Sequence, residues 1–547
     1  MSRVATVLPH GEFFEGEIDD FLAVCDKYFN DFYSYCTKWS EIWEILNPNM
    51  CTSENTHFNL SWEDDCSKLL NDKEFHDKVF LSNDFSNISS SLKDFLTESN
   101  NLSLKREFSR EEIPVKQYFS LQGETSFDKA QEVMQFTYAF DTLLRNFYQI
   151  DDEIYHGIAS HQQANEVLKQ IHIDQKPILH RENMRLIDVG AGKGYLSIFA
   201  ANELRIQTLP IEASLNHSCA LLDRIGCLVS QKRANTDNFN IMKMCIGYVT
   251  SSTSVEAIIH NAMSYEKWIM TMLQIDKGPQ RHLHKKLMPQ NPTEAPLDIS
   301  QVKGNQEEKP KNINGELACE IKVSDDIHEN INVNDTFLVS IHACGNLSVE
   351  SHEIALTCHD CRGAVSVPCC FQHLTVDKCP LIPENNRIFE FMFKGDTMKR
   401  KDFLNHALST YFCDYEKHKE IVSKFLPREI ISAFIPPRVS VKKIKRLKDE
   451  DEVSYVQRLS QMFGGNATKE EVQARIDFTT KQIWRMMAQQ TMREFFGHAF
   501  ETFVLIDRLA YYAKLVKLTG KKYYVGMFDC MSPISPRAFM QFTLKIE

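Results

Sequence analysis

The sequence predicts an α/β protein: a doubly wound, largely parallel sheet with an antiparallel last strand, plus an N-terminal helical domain and helical insertions. Three observations predict it. From Leu186 onward, short apolar runs of strand length alternate with helix-length stretches, as in βαβ units covered on both faces. The first run leads straight into a glycine-rich segment, residues 188–194 (DVGAGKG), that opens a helix. The chain closes on two strand-like runs, residues 522–528 and 539–545, with residues 532–537 (SPISPR) in the turn between them. Such a pair fits an antiparallel edge on an otherwise parallel sheet.

The elements follow in order. Residues 1–150 read as an N-terminal helical domain, because apolar residues recur at helical spacing in residues 21–29 and 133–144. Residues 82–91 are polar and read as a loop. Residues 151–547 read as a second domain, with strands at 186–189, 207–211, 245–250, 337–341 and 364–367 and a helix at 195–204. Within it, the stretch from about 280 to 334 is polar and charged, too poor in apolar surface to offset its ordering entropy, and reads as a disordered insertion. A helical elaboration follows at about 385–500, holding a basic run at 442–448 that is answered at once by acidic residues 449–452. A solvated helix face suits that run better than an RNA guide.

Composition sets further bounds. At 547 residues, 43% hydrophobic and 25% charged, the chain suits a globular protein of two or three structural units. The net charge of −12 offers no basic excess for gripping long nucleic acid by its phosphates. The first residues lack the apolar core of roughly 7–15 residues that a signal peptide carries, and no run approaches the roughly 18 apolar residues of a membrane helix. The 16 cysteines are therefore expected as reduced thiols in cytoplasm or nucleus, in a protein that is not secreted.

The glycine segment sits where a nucleotide-type cofactor loop must, after a buried strand and before a helix. Gly190, Gly192 and Gly194 let the backbone turn sharply and approach a ligand, with helix N-terminal amides facing it. Their spacing is not the G-x-G-x-x-G of dinucleotide sites. Asp188, just before the loop, would repel a polyphosphate and suits a cofactor with a cationic centre and an amino group. Glu212, ending the next strand, is placed to accept both hydroxyls of an adenosine ribose. The plainer alternative is a tight turn beside a solvated helix cap.

Three strings in order, DVGAGKG from Asp188, HACGNL from His342 and VPCCF from Val367, resemble the methyltransferase-like protein 25 family, which includes proteins named for a ribosomal RNA adenine dimethylase domain. The resemblance runs from about Tyr155 to the C-terminus, through residues 505–509 and 534–537. It implies a Rossmann-like class I methyltransferase fold and S-adenosyl-L-methionine as cofactor, held by Asp188, Gly190, Gly192, Gly194 and Glu212. Two positions depart from the family: residues 160–167 (SHQQANEV) lack its usual lysine pair and histidine, and Asn346 replaces its usual acidic residue.

Methyl transfer is an in-line displacement, catalysed mainly by alignment and shielding from water. His342, Cys344 and Asn346 follow the fourth strand of the methyltransferase sheet and should rim the crevice at the strands' carboxyl ends. Asn346 suits a hydrogen bond from an acceptor amine, and His342 suits taking its proton; the alternative is a tight turn with a buried, satisfied histidine. Cys369 and Cys370, after the fifth strand, read either as a nucleophilic pair or as inert thiols. Cys358, Cys361, Cys370 and His373 have zinc-ligand types, but a strand holds Cys358 and Cys370 more than ~15 Å apart, so no metal is expected. RNA leads as the methyl acceptor, with protein or a small molecule as alternatives. A scaffold that binds the cofactor without turnover is the rival from another class.

Overall fold

The structure is a computed structural model and describes residues 2–40, 60–105, 125–151, 170–232 (172 and 174 excepted), 242–264, 321, 335–395 (359 excepted), 415–434, 447, 450–531 and 538–547. The insertion at about 280–334, the basic run at 442–448, the turn at 532–537 and residues 160–167 thus lie outside the described residues, Ile321 and Leu447 apart.

The chain folds into two compact units, and the division expected near residue 150 is not where its contacts divide. Met1–Asp26, Lys105–Ile382 and Ile506–Glu547 form one unit, Lys27–Leu104 and Pro383–Leu505 the other. Among the described residues the first unit holds twelve strands: β1 Arg3–Val7, β2 Phe13–Glu17, β3 Gln149–Asp151, β4 Ile178–His180, β5 Arg185–Val189, β6 Gln207–Glu212, β7 Lys243–Ile246, β8 Met263–Ser264, β9 Thr336–Cys344, β10 Gly363–Cys369, β11 Tyr523–Asp529 and β12 Phe539–Lys545. Ten of them make one sheet in the order β2-β1-β11-β12-β10-β9-β5-β6-β7-β8, while β3 and β4 pair separately.

The centre of the sheet is parallel. β5 lies between β6 and β9, β10 flanks β9, and β7 flanks β6, all parallel. β12 is antiparallel to both of its neighbours, β10 and β11. The pair β11–β12 is not the edge that the sequence suggests. β1 adds to β11 in parallel, and β2 folds back on β1. These two strands fall inside the stretch read as purely helical. They escape a periodicity reading because each is only 5 residues long and β2 is half-exposed on both faces.

Alternation along the strands produces two cores, one on each face. Leu186, Phe337, Val339, Val365 and Val367 face one cluster, which takes in Val133, Phe136, Phe140 and Phe147 of a helix at Phe127–Phe147. Ile187, Leu209, Leu338 and Ala364 face the other, with Ile258, Ile354 and Ala355. The Phe127–Phe147 helix therefore belongs to the sheet's own covering layer, which is why a boundary at 150 fails: it would strip one face of the sheet.

The second unit is helical. It draws on Glu63–Asn71, Lys73–Phe80 and Ser90–Asn101 from the first half of the chain, and on Asn386–Phe393, Tyr415–Ser432, Glu452–Met462 and Lys469–Lys481 from the second. Phe32 stacks on Phe503 at 4.8 Å between ring centroids and Tyr35 on Phe496 at 6.0 Å, so the two halves share one aromatic core. The Lys469–Lys481 helix starts on a capping box, Thr468 with Glu471. Among the described residues no helix is long and apolar enough to cross a membrane.

Candidate functional site

The chain leaves β5 toward β6 on one side, and β9 returns on the other, so the sheet's order reverses between β5 and β9. In open α/β sheets the crevice beyond the carboxyl ends of such a strand pair is where ligands bind. The glycine loop leaves β5 there, and β9 runs on past Val339, the register partner of Asp188, to Cys344.

Gly190, Gly192 and Gly194 all take left-handed backbone angles, φ +72°, +58° and +72°. Their surroundings separate their roles. A Cβ on Gly194 would lie 1.4 Å from Leu221 Cδ1, and one on Gly190 would lie 2.6 Å from Leu347 Cδ2. Around a Cβ on Gly192 there is nothing within 4 Å. The outer two glycines permit packing, and the middle one faces open space.

Both flanking acids are engaged with the loop. Glu212, at the end of β6, accepts from the Gly192 backbone N–H (2.7 Å) through Oε2 and from the Ser214 N–H (2.8 Å) through Oε1. His217 Nδ1 also lies 3.5 Å from Oε1, so the second lone pair of Oε2 is the one left for a ligand. Asp188 is 4% exposed and accepts from Ser197 Oγ at 2.6 Å. Burial pushes its carboxyl up to about 6; the Ser197 hydrogen bond opposes the shift, and the nearby charge of Glu212 reinforces it.

A raised carboxyl pKa is a cost to the folded state. The folded protein holds a proton on Asp188 up to about pH 6, whereas the unfolded chain loses it near 3.8, so stability falls as pH rises through that window. Asp188→Asn removes the charge and leaves Ser197 an acceptor. Above pH 6 the ligand-free variant should be more stable than the parent, by about 2–3 kcal/mol at most. Below about pH 3, where Asp188 is neutral in both states, the gain should vanish. Urea unfolding at a series of pH values measures this; a gain independent of pH would sink the explanation.

At the carboxyl end of β9, His342 Nε2 lies 2.9 Å from Glu132 Oε2, and Lys129 Nζ reaches the same oxygen at 3.2 Å. The His342 side chain is 32% exposed and that of Glu132 14%, so a carboxylate backs a half-open imidazole. Glu132 and Lys129 sit on the Phe127–Phe147 helix, 210 residues from His342 in the case of Glu132. Sequence reasoning missed both, reading that helix only for its apolar stripe.

Asn346 is occupied: its Nδ2 donates to Thr375 Oγ1 (2.9 Å), and its Oδ1 accepts from the Thr375 N–H (3.1 Å). Its visible work is to pin the segment after β10. Arg508, 1% exposed, holds the other side of this region. Its guanidinium donates to Gly345 O at 3.1 Å and Ser348 Oγ at 2.6 Å, and lies over the Phe371 ring.

Cys344 is exposed, with its Sγ 3.2 Å from Cys369 Sγ, which is 3.5 Å from Cys370 Sγ. The hydrogen bond with Cys369 lowers the Cys344 pKa, but Cys370 and burial outweigh it and push the thiol up to about 11; contacts with Cys344 and Cys370, together with burial, raise Cys369 further. A free Cys369 thiol in that state is neutral near pH 7, which removes the support for a nucleophilic Cys369. The zinc set weighed from sequence stays apart. Cys361 donates to the carbonyl of Thr336, at the amino end of β9, and Cys358 to Glu256, whereas Cys370 lies beyond the carboxyl end of β10.

Residues 161–377 match the family model of a methyltransferase domain. The matched stretch takes in β4 to the turn after β10, and so contains Asp188, the three glycines, Glu212, His342, Cys344 and Asn346. The match supports a methyltransferase, for which S-adenosyl-L-methionine is the usual donor. The match does not reach the methyltransferase-like protein 25 family, the resemblance to which rests on the motifs alone. No curated protein and no solved structure matches the chain.

Proposed function

We propose that this chain transfers a methyl group from S-adenosyl-L-methionine to an acceptor held at the carboxyl ends of β5 and β9. One observation carries the reading: Gly192, with open space where a side chain would be, stands between two acids at the sheet's reversal point, within a stretch that matches a methyltransferase domain. The residues fit the cofactor. Glu212 would accept the ribose hydroxyls, and Asp188 would balance the cationic end. Bound there, S-adenosyl-L-methionine supplies an electrophilic methyl group. His342, oriented by Glu132, would take the acceptor's proton, and Cys344 lines the rim beside it.

Calorimetric titration of the full chain with S-adenosyl-L-methionine tests this. Micromolar binding is expected. Glu212→Ala should weaken it by about 10- to 100-fold, the value of a hydrogen bond to a charged group. No binding by the folded parent at millimolar cofactor would remove the reading.

For the acceptor, RNA is the class favoured by the family resemblance. A structured RNA retained at physiological salt, and released on charge reversal around Lys442, would support it. The engagement of both ends of the Asn346 amide by Thr375 favours the rival reading, a cofactor-binding scaffold. Cofactor binding without transfer of labelled methyl to any cellular RNA, protein or small-molecule fraction would establish that rival.

A further inference from the structure

We propose that Cys344, Cys369 and Cys370 form a zinc site at the rim of the crevice, with a fourth coordination position open to solvent on the Cys344 side. The three Sγ atoms all lie within 4.8 Å of one another, and among the described residues no other His, Cys or carboxylate atom joins the group. Their separations of 3.2 and 3.5 Å are far too long for a disulfide, whose sulfurs sit about 2.05 Å apart. They are close to the edge of about 3.8 Å that follows from a tetrahedral zinc with Zn–S bonds of about 2.3 Å. A soft thiolate set selects a thiophilic cation over magnesium or calcium.

Two backbone irregularities bring the sulfurs together. β9 and β10 run in register as far as Ser366 with Ser340, and then the register shifts, so that Cys369 faces Cys344. Without the shift it would face Ala343. Successive strand residues point to opposite faces, yet Cys370 places its sulfur beside that of Cys369, because Cys370 leaves the strand in a left-handed conformation (φ +50°, ψ +48°). Left-handed backbone is uncommon for a residue other than glycine and often marks a functional constraint.

Charge balance gives independent support. Arg508 is buried, its hydrogen bonds go to the neutral groups Gly345 O and Ser348 Oγ, and its Nε has no partner. Cys379, Asp507 and Cys369 are all close enough to act on its charge. Zinc loading breaks three S–H bonds, forms three Zn–S bonds and releases three protons to solvent. Zn²⁺ with three thiolates carries a net −1, which would add to Asp507 a second anionic group beside the buried guanidinium. The open fourth position is the arrangement of catalytic rather than structural zinc, and it lies where an acceptor's lone pair could reach it.

The site stands or falls apart from the cofactor reading, because its test reads metal and not methyl transfer. The full chain, purified without a metal resin and stripped under reducing conditions, is titrated with Zn²⁺ and, separately, with Co²⁺. One equivalent of zinc by mass spectrometry and a thiolate-to-cobalt charge-transfer band are expected. Cys344→Ser, at an exposed position, and Cys370→Ser should each weaken binding at least 100-fold while circular dichroism shows the fold retained. Cys358→Ser and Cys361→Ser should leave it unchanged. A folded parent that gives no charge-transfer band, or a band that survives the Cys344→Ser, Cys370→Ser double substitution, would overturn the proposal.

Discussion

Gly192→Arg is expected to abolish S-adenosyl-L-methionine binding, by more than about 1,000-fold, in a protein that still folds. A side chain at this position meets no atom within 4 Å, so it enters free space instead of displacing packed groups. The structural cost is that of a left-handed angle on a residue with a Cβ, about 1–2 kcal/mol. The functional cost is larger. The arginine would fill the space above the loop, and its guanidinium would compete for Glu212, the acid on which ribose recognition depends. Thermal unfolding and calorimetry on the same sample separate the two effects. Retained binding by the folded variant would mean that the cofactor does not lie over this loop.

Gly194→Val should act in the opposite way, by destabilising the fold. The two glycines are two residues apart and both are left-handed, but a Cβ on Gly194 falls 1.4 Å from Leu221 Cδ1, inside the core under the loop. Leu221 is fully buried on the Leu215–Ser230 helix, and its Cγ would lie only 2.6 Å from the same Cβ. Overpacking costs about 1–3 kcal/mol. Left-handed strain adds about 1–2 kcal/mol for an ordinary residue, and more for a β-branched one. A loss of about 3–5 kcal/mol is therefore expected, a large share of the stability of a marginal domain. Urea unfolding measures it. A variant as stable as the parent would show that Leu221 or the loop can relocate cheaply.

The contrast between these glycines could not be read from DVGAGKG. The string shows that the backbone must turn sharply; it does not show which glycine faces solvent and which faces Leu221. The same division runs through the candidate site. Asp188 and Glu212 were legible because each lies at or next to the end of a strand with a strong local pattern, and the loop between β5 and the helix Tyr195–Asn202 is set by adjacent residues. The partnership of Glu132 with His342 was not legible, since both belong to segments whose meeting depends on which face of the sheet a distant helix covers.

By itself, the sequence determined the central parallel strands, the glycine loop with its two acids, and the strand-end position of His342, Cys344 and Asn346. Each is specified by short-range patterns: buried apolar runs, glycines where a turn is needed, and an acid at a strand terminus. The tertiary structure decided the rest. It set β1 and β2 beyond β11, joined residues 27–104 with 383–505 in one helical unit, and gathered three cysteines through a register shift and a left-handed residue. These features arise from non-local pairing. The free energy of pairing resides in contacts between residues hundreds of positions apart, and local sequence does not specify which distant partner will bury a given face.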